Sequence, residues 1–486
     1  MKQMQTFQNV EITDISTEGK GIGRIPHPSQ DPAMADTKIV CFIDLTIPGD
    51  VVDIQITLKK RNYREAKVIK YQKLSDKRTE PVCKHFGVCG GCKWQNMKYE
   101  VQLVFKQKYV FDALTRIGKV PLSFGEGLGV RQAAMLPIIP SQKNFHYRNK
   151  LEFTFSNKRW LTSMDQKPEV WDQGQNGLGF HIPKLFDKVL DIDECHLQEE
   201  PSNSIRLEVK KFSQENKITF FDIRNQSGLL RNLIIRSSST GEWMVVVVFF
   251  YEDQPVREKL LKHLSQKFPQ ITSLQYVINS KKNDSIFDQQ VNTFSGSDAI
   301  NEDMEGLKFR ISAKSFFQTN SIQAYELYKV TRDFADLKGD EVVYDLYTGT
   351  GTIANFVAGK AKKVVGIEYI PVAIEDAKVN SKINNIRNTD FFAGDIKDVL
   401  SNDFIALRGK PDVIITDPPR AGMHEDVVKK MLEIAPEKII YVSCNPATQA
   451  RDILLMSERY FVEKVQPVDM FPHTAHVESV AKLIRK

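Results

Sequence analysis

Cys444 stands in VSCNPAT, directly after the apolar run KIIYV, and Asp417 stands in TDPPRAG, directly after VII. A cysteine is nucleophilic only as its thiolate, and a polar strand end can lower its pKa from ~8.5. A third group, Glu478, opens the last apolar run, ESVAKLI. Together they offer a nucleophile, a rim carboxylate and a base. That set fits methylation of a pyrimidine carbon. C5 of uracil is a poor nucleophile, but a thiolate adding at C6 makes an enolate whose C5 can attack an electrophilic methyl. A base then removes the C5 proton and β-elimination frees the thiol. His473 and His476, in FPHTAHV, are the other residues that could act as the base. They lack a third ligand and do not read as a metal pair. DPP followed by an aromatic would suggest methylation of an exocyclic amine, with the ring stacked on the base, but position 420 is Arg.

The methyl donor needs its own cradle. In EVVYDLYTGTGTIA a strand, VVYDL, runs into a loop with Gly349 and Gly351 and then into a helix. Glycines there let the backbone turn tightly and approach a ligand. The next strand, KVVGIE, ends in Glu368, an acid placed to bond ribose hydroxyls. A lone GxGxxA suits a dinucleotide equally well. Here Asp345 precedes the loop, and D-x-x-x-G-x-G resembles motif I of class I S-adenosylmethionine-dependent methyltransferases. Ligands of open α/β sheets bind beyond the carboxyl ends of the strands. Asp345, Glu368, Asp417 and Cys444 all fall on that rim.

DLYTGTGT, DPPRAG, VSCNPAT and FPHTAHVES, in that order, resemble the RNA (uracil-C5)-methyltransferase family across the whole catalytic region. The resemblance implies Cys444 as nucleophile and Glu478 as general base. It implies S-adenosylmethionine contacts from Gln318 (in KSFFQTN), Tyr347, Glu368, Asp417 and Asp395 (in FFAGD). Thr352 stands where many members carry Asn. The implied catalytic fold is a class I methyltransferase, a doubly wound seven-stranded α/β sheet.

A second set of thiols lies upstream. Cys83, Cys89 and Cys92 share one short loop with Gly87, Gly90 and Gly91, and Cys195, in DIDECHLQ, offers a fourth ligand after 102 intervening residues. Cys41 is the other candidate, in an expected barrel strand. Soft thiolates suit zinc or an iron–sulfur cluster, and spacing does not separate the two. The resemblance favours a [4Fe–4S] cluster, as in bacterial 23S rRNA members that combine a TRAM domain with a cluster-bearing central domain. The spacing is not the CxxxCxxC of radical enzymes, so the cluster reads as structural or RNA-positioning.

These residues need three bodies to hold them. Residues 1–72 read as a small β-barrel: NVEITDIS, IVCFIDL and VVDIQITLKK are strand-like runs between turns. EGKGIGR (Gly19, Gly21, Gly23, Arg24) and IPGD make this segment resemble a TRAM domain. Residues 73–310 read as an α+β central domain carrying the cysteines. The amphipathic helix at 97–118, ended by Gly118, resembles one that packs on the family's catalytic domain. Residues 311–486 alternate strands and helices and form the methyltransferase domain.

The 486 residues carry 67 Lys and Arg against 61 Asp and Glu, a net +6. From Lys59 to Arg78 nine cations oppose two acids, so this stretch holds +7 and the rest of the chain about −1. It reads as a phosphate-contacting stripe, with Tyr63 and Tyr71 placed to stack on unpaired bases. The 41% hydrophobic and 26% charged residues are ordinary globular usage and exclude a mainly disordered or collagen-like chain. WMVVVVFFY (243–251) is too short to span a membrane and reads as a buried strand. MKQMQTFQNVEITDIS lacks a signal-peptide core, so a cytoplasmic location is expected, where six cysteines serve as ligands, nucleophiles or core. A monomer is expected. The function these readings imply is transfer of methyl to C5 of a uridine in structured RNA, with 23S rRNA favoured by resemblance. The alternatives are the same chemistry on tRNA, a non-catalytic RNA-binding or assembly factor on a methyltransferase scaffold, and an amino-methyltransferase using DPPR.

Overall fold

The computed structural model describes residues 5–27, 37–124, 132–161, 176–183 and 185–486. The start of the N-terminal stretch read above (1–4) and part of the middle range (162–175) lie outside the described residues. The chain divides into two compact units. The first is Met1–Tyr109 with Phe471–Val477, and the second is Val110–Met470 with Glu478–Lys486.

In the first unit β1 (Thr6–Ile15), β2 (Gly21–Pro26), β3 (Lys38–Ile43), β4 (Val51–Lys59) and β5 (Tyr63–Lys73) close into a barrel in the order β1-β2-β3-β5-β4. Period-2 alternation turns Val10, Ile12, Ile25, Ile39, Ile43, Val52, Ile54 and Ile56 inward to form its core. Gly21 belongs to EGKGIGR because a Cβ there would sit 2.1 Å from Thr46 Oγ1. Cys41 is fully buried in this apolar core, where desolvation pushes its thiol up to about 12. It is a packing residue and leaves the list of metal ligands.

The basic stretch divides in two. Arg64 is buried and donates to the carbonyls of Lys60 and Tyr63. Arg78 pairs with buried Asp50 at 2.6 Å and lies over the Tyr71 ring at 4.9 Å. Lys59, Lys60, Arg61, Lys67, Lys70, Lys73 and Lys77 are exposed.

The second unit begins with two short strands, β6 (Leu122–Phe124) and β7 (Ala133–Met135). Among the described residues, an eight-stranded mixed sheet follows, built from β8 (Lys150–Ser156), β9 (Arg159–Trp160), β10 (Gly177–Ile182), β11 (Leu185–Asp191), β12 (Leu230–Ser237), β13 (Trp243–Phe249), β14 (Ile271–Ile278) and β15 (Val291–Gly296). Every residue of β13 is buried, as expected for WMVVVVF. β16 (Ala299–Met304) and β17 (Leu307–Ser312) make a ribbon.

The last sheet holds β18 (Val342–Leu346), β19 (Lys363–Glu368), β20 (Thr389–Ala393), β21 (Val413–Thr416), β22 (Lys438–Ser443), β23 (Tyr460–Val468) and β24 (Glu478–Arg485). Its order is β20-β19-β18-β21-β22-β24-β23-β7-β6. β18 to β22 run parallel, with β24 inserted antiparallel between β22 and β23. The seven expected strands are therefore joined by two more. β7 pairs Lys464 and Val465 of β23, which removes an open sheet edge. Triplets as short as LSF and AAM carry too little periodicity to be read as strands. No helix of the described residues is long and apolar enough to cross a membrane.

Candidate active site

Every residue expected at the rim arrives there through a strand end. Asp345 is the fourth residue of β18 and Asp417 follows β21, where its N–H donates to the Leu346 carbonyl. Cys444 follows β22. Glu478 opens β24, which runs the other way, so its first residue lies at the same rim.

The loop expected to cradle the methyl donor is the turn after β18. Tyr347, Gly349 and Gly351 all take positive φ (63°, 55° and 73°). A left-handed tyrosine is strained and persists only where its surroundings dictate it. A Cβ on Gly351 would lie 2.8 Å from Ala377 Cβ, so the loop and the helix Pro371–Ile383 touch as only glycine permits. A Cβ on Gly349 would meet nothing within 4 Å, which leaves open space over the loop. Glu368 Oε2 accepts from the Gly349 N–H and Oε1 from the Ile370 N–H, which fixes the carboxylate across the mouth of the loop. Asp395 caps the short helix Ile396–Val399, two residues past the β20 end that pairs with Glu368. Thr352 is buried, with its hydroxyl 3.3 Å from that of Thr350. Thr350 also donates to the Phe316 carbonyl at 3.4 Å, bringing the segment with Gln318 to this loop. The Gln318 backbone is held by Asn149 Nδ2 at 2.9 Å.

The site gathers three buried carboxyl groups. Desolvation, with Glu368 adding to it, raises Asp345 to about 7. Desolvation and the charge of Asp345 raise Asp417 to about 7, and desolvation with Asp417 raises Glu478 to about 8. Asp345 Oδ1 is buried without a hydrogen-bond partner. Such a group of carboxylates fits a cationic ligand, which a sulfonium methyl donor is. Burial, then Glu478 and Asp417, push the Cys444 thiol up to about 11, while the Arg420 guanidinium pulls it down. Cys444 also precedes Asn445, the N-cap of the helix Pro446–Met456, whose dipole favours a thiolate.

Arg420 and Tyr328 were not singled out as site residues from sequence. Arg420 is placed by its backbone: its carbonyl accepts from Asn445 Nδ2 (3.0 Å) and Thr448 Oγ1 (3.3 Å). Arg451 donates to the Ala421 carbonyl and the Met423 N–H donates to Asp452, so the DPPRAG loop is laced to the helix after Cys444. The Arg in DPPR was the available signal. Tyr328, on the helix Ser321–Ala335, is buried and its phenol is raised by desolvation, Asp417, Glu478 and Asp345. No motif marks it.

His473 and His476 lie in Phe471–Val477, which belongs to the first unit. The His473 ring is 3.2 Å from Gln102 Nε2. Cys83, Cys89 and Cys92 are half-buried, Cys195 is buried, and none of the four is in a disulfide. Gly87 and Gly90 take positive φ and wrap the three-thiol loop. Among the described residues, no set of three or more His, Cys, Asp or Glu side chains is gathered as a metal-holding group.

The chain is similar to several known proteins. Residues 225–486 match the model of the tRNA (uracil-5-)-methyltransferase family, and residues 5–69 match the TRAM domain. A Porphyromonas gingivalis protein named an uncharacterised RNA methyltransferase is 54% identical over 98% of this chain and 99% of its own. A protein of the same name from Bacteroides thetaiotaomicron is 53% identical over 96% and 99%. Among solved structures, the Pyrococcus abyssi tRNA (uracil-54, C5)-methyltransferase in complex with S-adenosyl-L-homocysteine is similar at a TM-score of 0.73 and 27% identity, covering 98% of this chain and all of that one. On the family match and these full-length relatives, the chain belongs to the S-adenosylmethionine-dependent RNA (uracil-5-)-methyltransferase family.

Proposed function

We propose that this enzyme methylates C5 of a uridine in 23S rRNA through a covalent adduct on Cys444. The observation that carries this is the shared rim of Cys444, Asp417 and Glu478, with Arg420 beside the thiol. The Cys444 thiolate adds to C6 and pushes the C5=C6 electron pair toward C4, making C5 nucleophilic. S-adenosylmethionine, which Gln318, Tyr347, Gly349, Gly351, Thr352, Glu368, Asp395 and Asp417 would hold, would give its methyl to C5 as its S–CH3 bond breaks and leave as S-adenosylhomocysteine. The Glu478 carboxylate removes the C5 proton, the C5=C6 bond reforms, and the Cys444 sulfur leaves C6. The target base must leave its stack to reach the thiol.

The TRAM domain and its exposed lysines favour a large structured RNA. A tRNA substrate is the second reading, favoured by the Pyrococcus neighbour, whose own substrate is tRNA and whose whole length is covered. The test uses 5-fluorouridine-substituted 23S rRNA and tRNA, each with S-adenosylmethionine. A covalent complex on rRNA that is lost in Cys444→Ala is expected. An adduct on tRNA alone overturns the rRNA assignment, and one that persists in Cys444→Ala overturns the nucleophile.

We also propose that Cys83, Cys89, Cys92 and Cys195 hold a [4Fe–4S] cluster. Four thiols outside any disulfide are a soft donor set, and Cys41 is taken up in the barrel core. An anaerobic preparation is expected to contain about four iron and about four sulfide per chain. Stoichiometric zinc without sulfide would replace the cluster with a zinc site.

A further inference from the structure

The general base stands at the end of a segment that the other unit holds. The chain leaves the catalytic sheet after Met470, and Phe471–Val477 joins the first unit before Glu478 begins β24. Within that unit the segment is tied at several points. The N–H groups of Lys93 and Trp94 both donate to the His473 carbonyl, at 2.7 and 3.0 Å. The His473 N–H donates to Gln102 Oε1 at 2.8 Å. Gln102 Nε2 donates to the carbonyls of Trp94 (3.0 Å) and Met97 (2.9 Å) and lies 3.2 Å from His473 Nδ1. Lys106, one helical turn further on, donates to the Phe471 carbonyl at 2.9 Å.

Gln102 and Lys106 are fully buried. A glutamine buried in the first turn of the helix Tyr99–Arg116 is costly unless its amide is fully used, and this one is used on both ends. His473 takes φ 65°, a left-handed conformation that a histidine keeps only when its neighbours impose it. Ala475 packs on Ile47, Trp94 and Met97, and Trp94 Nε1 donates to the Gly19 carbonyl in the barrel's EGKGIGR turn. Val477 is buried, and Glu478 is the next residue.

We infer that Gln102, supported by Lys106, is a positioning residue for Glu478, fixing the segment that sets where the base enters the sheet. The inference rests on the reading of Glu478 as the C5 base. A carboxylate misplaced by about 1 Å at this point loses proton abstraction but not thiol addition, and such displacements cost on the order of a hundredfold.

The test compares Gln102→Leu, Lys106→Met and Glu478→Gln in the full-length enzyme on its RNA substrate. Gln102→Leu is expected to lower kcat by about tenfold or more while leaving the KM for S-adenosylmethionine within about twofold. It should also accumulate the covalent protein–RNA complex on unmodified RNA, because the adduct forms and is resolved slowly. Lys106→Met should do the same to a lesser degree, and carries the test if Gln102→Leu does not fold. Loss of adduct formation in step with kcat would make the two residues merely structural and overturn the inference. If Glu478→Gln itself traps no complex, the base assignment fails and the inference falls with it. If Glu478→Gln traps a complex and neither of the others does, only the positioning role fails.

Discussion

Cys444 and Glu478 flank the last pair of one antiparallel ladder. Ser443 of β22 pairs with Ser479 of β24, and the next residue outward on each strand is Cys444 on one side and Glu478 on the other. The proposed nucleophile and base act on C6 and C5 of one pyrimidine ring, which are bonded neighbours, and the Glu478 charge lies near the Cys444 thiol, which it helps push up. On its other side Glu478 is paired with Val468 of β23.

Glu478→Gln keeps the shape and removes the base. Addition of Cys444 should survive, and turnover should fall by roughly a hundredfold to ten-thousandfold. The covalent protein–RNA complex should build up on ordinary RNA and be visible as a band resistant to denaturant. A variant that turns over normally would move the base elsewhere, with His473 and His476 next in line.

The Arg420 guanidinium opposes the burial and the carboxylates that raise the Cys444 thiol. It lowers both Cys444 and Glu478, against burial and the surrounding carboxylates that raise them to about 11 and about 8. Removing the guanidinium in Arg420→Met should raise both groups. At pH 8 less thiolate and less carboxylate would be present, and a thiol whose pKa rises by about one loses roughly tenfold of its thiolate there. The acidic limb of the rate profile should move to higher pH, and high pH should recover part of the rate. An unchanged profile would make Arg420 a contact to RNA only.

The carboxylates also make the free enzyme's stability depend on pH. Asp345 and Asp417 at about 7 and Glu478 at about 8 lie above their ordinary values near 4. Across that window the folded state binds more protons than the unfolded one, so stability falls as pH rises from about 4 to about 8. A bound sulfonium reverses this by favouring the ionised forms. The affinity for S-adenosylmethionine should therefore rise between about pH 6 and about pH 8.5, and should rise more steeply than that for the uncharged thioether S-adenosylhomocysteine. Calorimetric titration of both ligands reads the difference. Parallel pH profiles would show that these carboxyl groups do not sense the sulfonium charge.

Much of this site is written locally in the sequence, because each of its residues ends or begins an apolar run. Asp345, Glu368, Asp417, Cys444 and Glu478 could be read as rim residues one strand at a time. Their mutual electrostatics could not. Asp345 and Asp417 are 72 residues apart and meet only because β18 and β21 are neighbours in the sheet. Tyr328 reaches the carboxylates from a helix whose apolar spacing announces only a buried face. The barrel was legible from alternation and from EGKGIGR, whereas β6 and β7 were not, since three-residue strands exist only through the partner they pair with. The basic stretch was counted correctly as charge, but a count does not say which cations point outward.

That distinction yields separable effects within one stretch of chain. Lys59, Lys60, Arg61, Lys67, Lys70, Lys73 and Lys77 are exposed, while Arg64 and Arg78 are bonded into the fold. Replacing Lys67, Lys70, Lys73 and Lys77 by Gln should leave the thermal midpoint nearly unchanged and weaken RNA binding. If all four contact phosphate, the slope of log K against log salt should flatten by about 3, at roughly 0.7–0.9 per contact. Arg78→Ala should behave in the opposite way. Asp50 has no exposed side-chain surface, and it also accepts from the Ile47 and Ser75 N–H groups. Removing its cation leaves a buried carboxylate without a counter-charge, which costs about 3–5 kcal/mol in buried pairs and somewhat less here because Arg78 is partly exposed. Unfolding midpoints and salt-dependent binding, measured on both variants, should therefore cross: stable and weakly binding for the lysine set, unstable for Arg78→Ala. If the lysine set binds RNA with unchanged affinity and slope, the stripe is only a solvated face of the barrel.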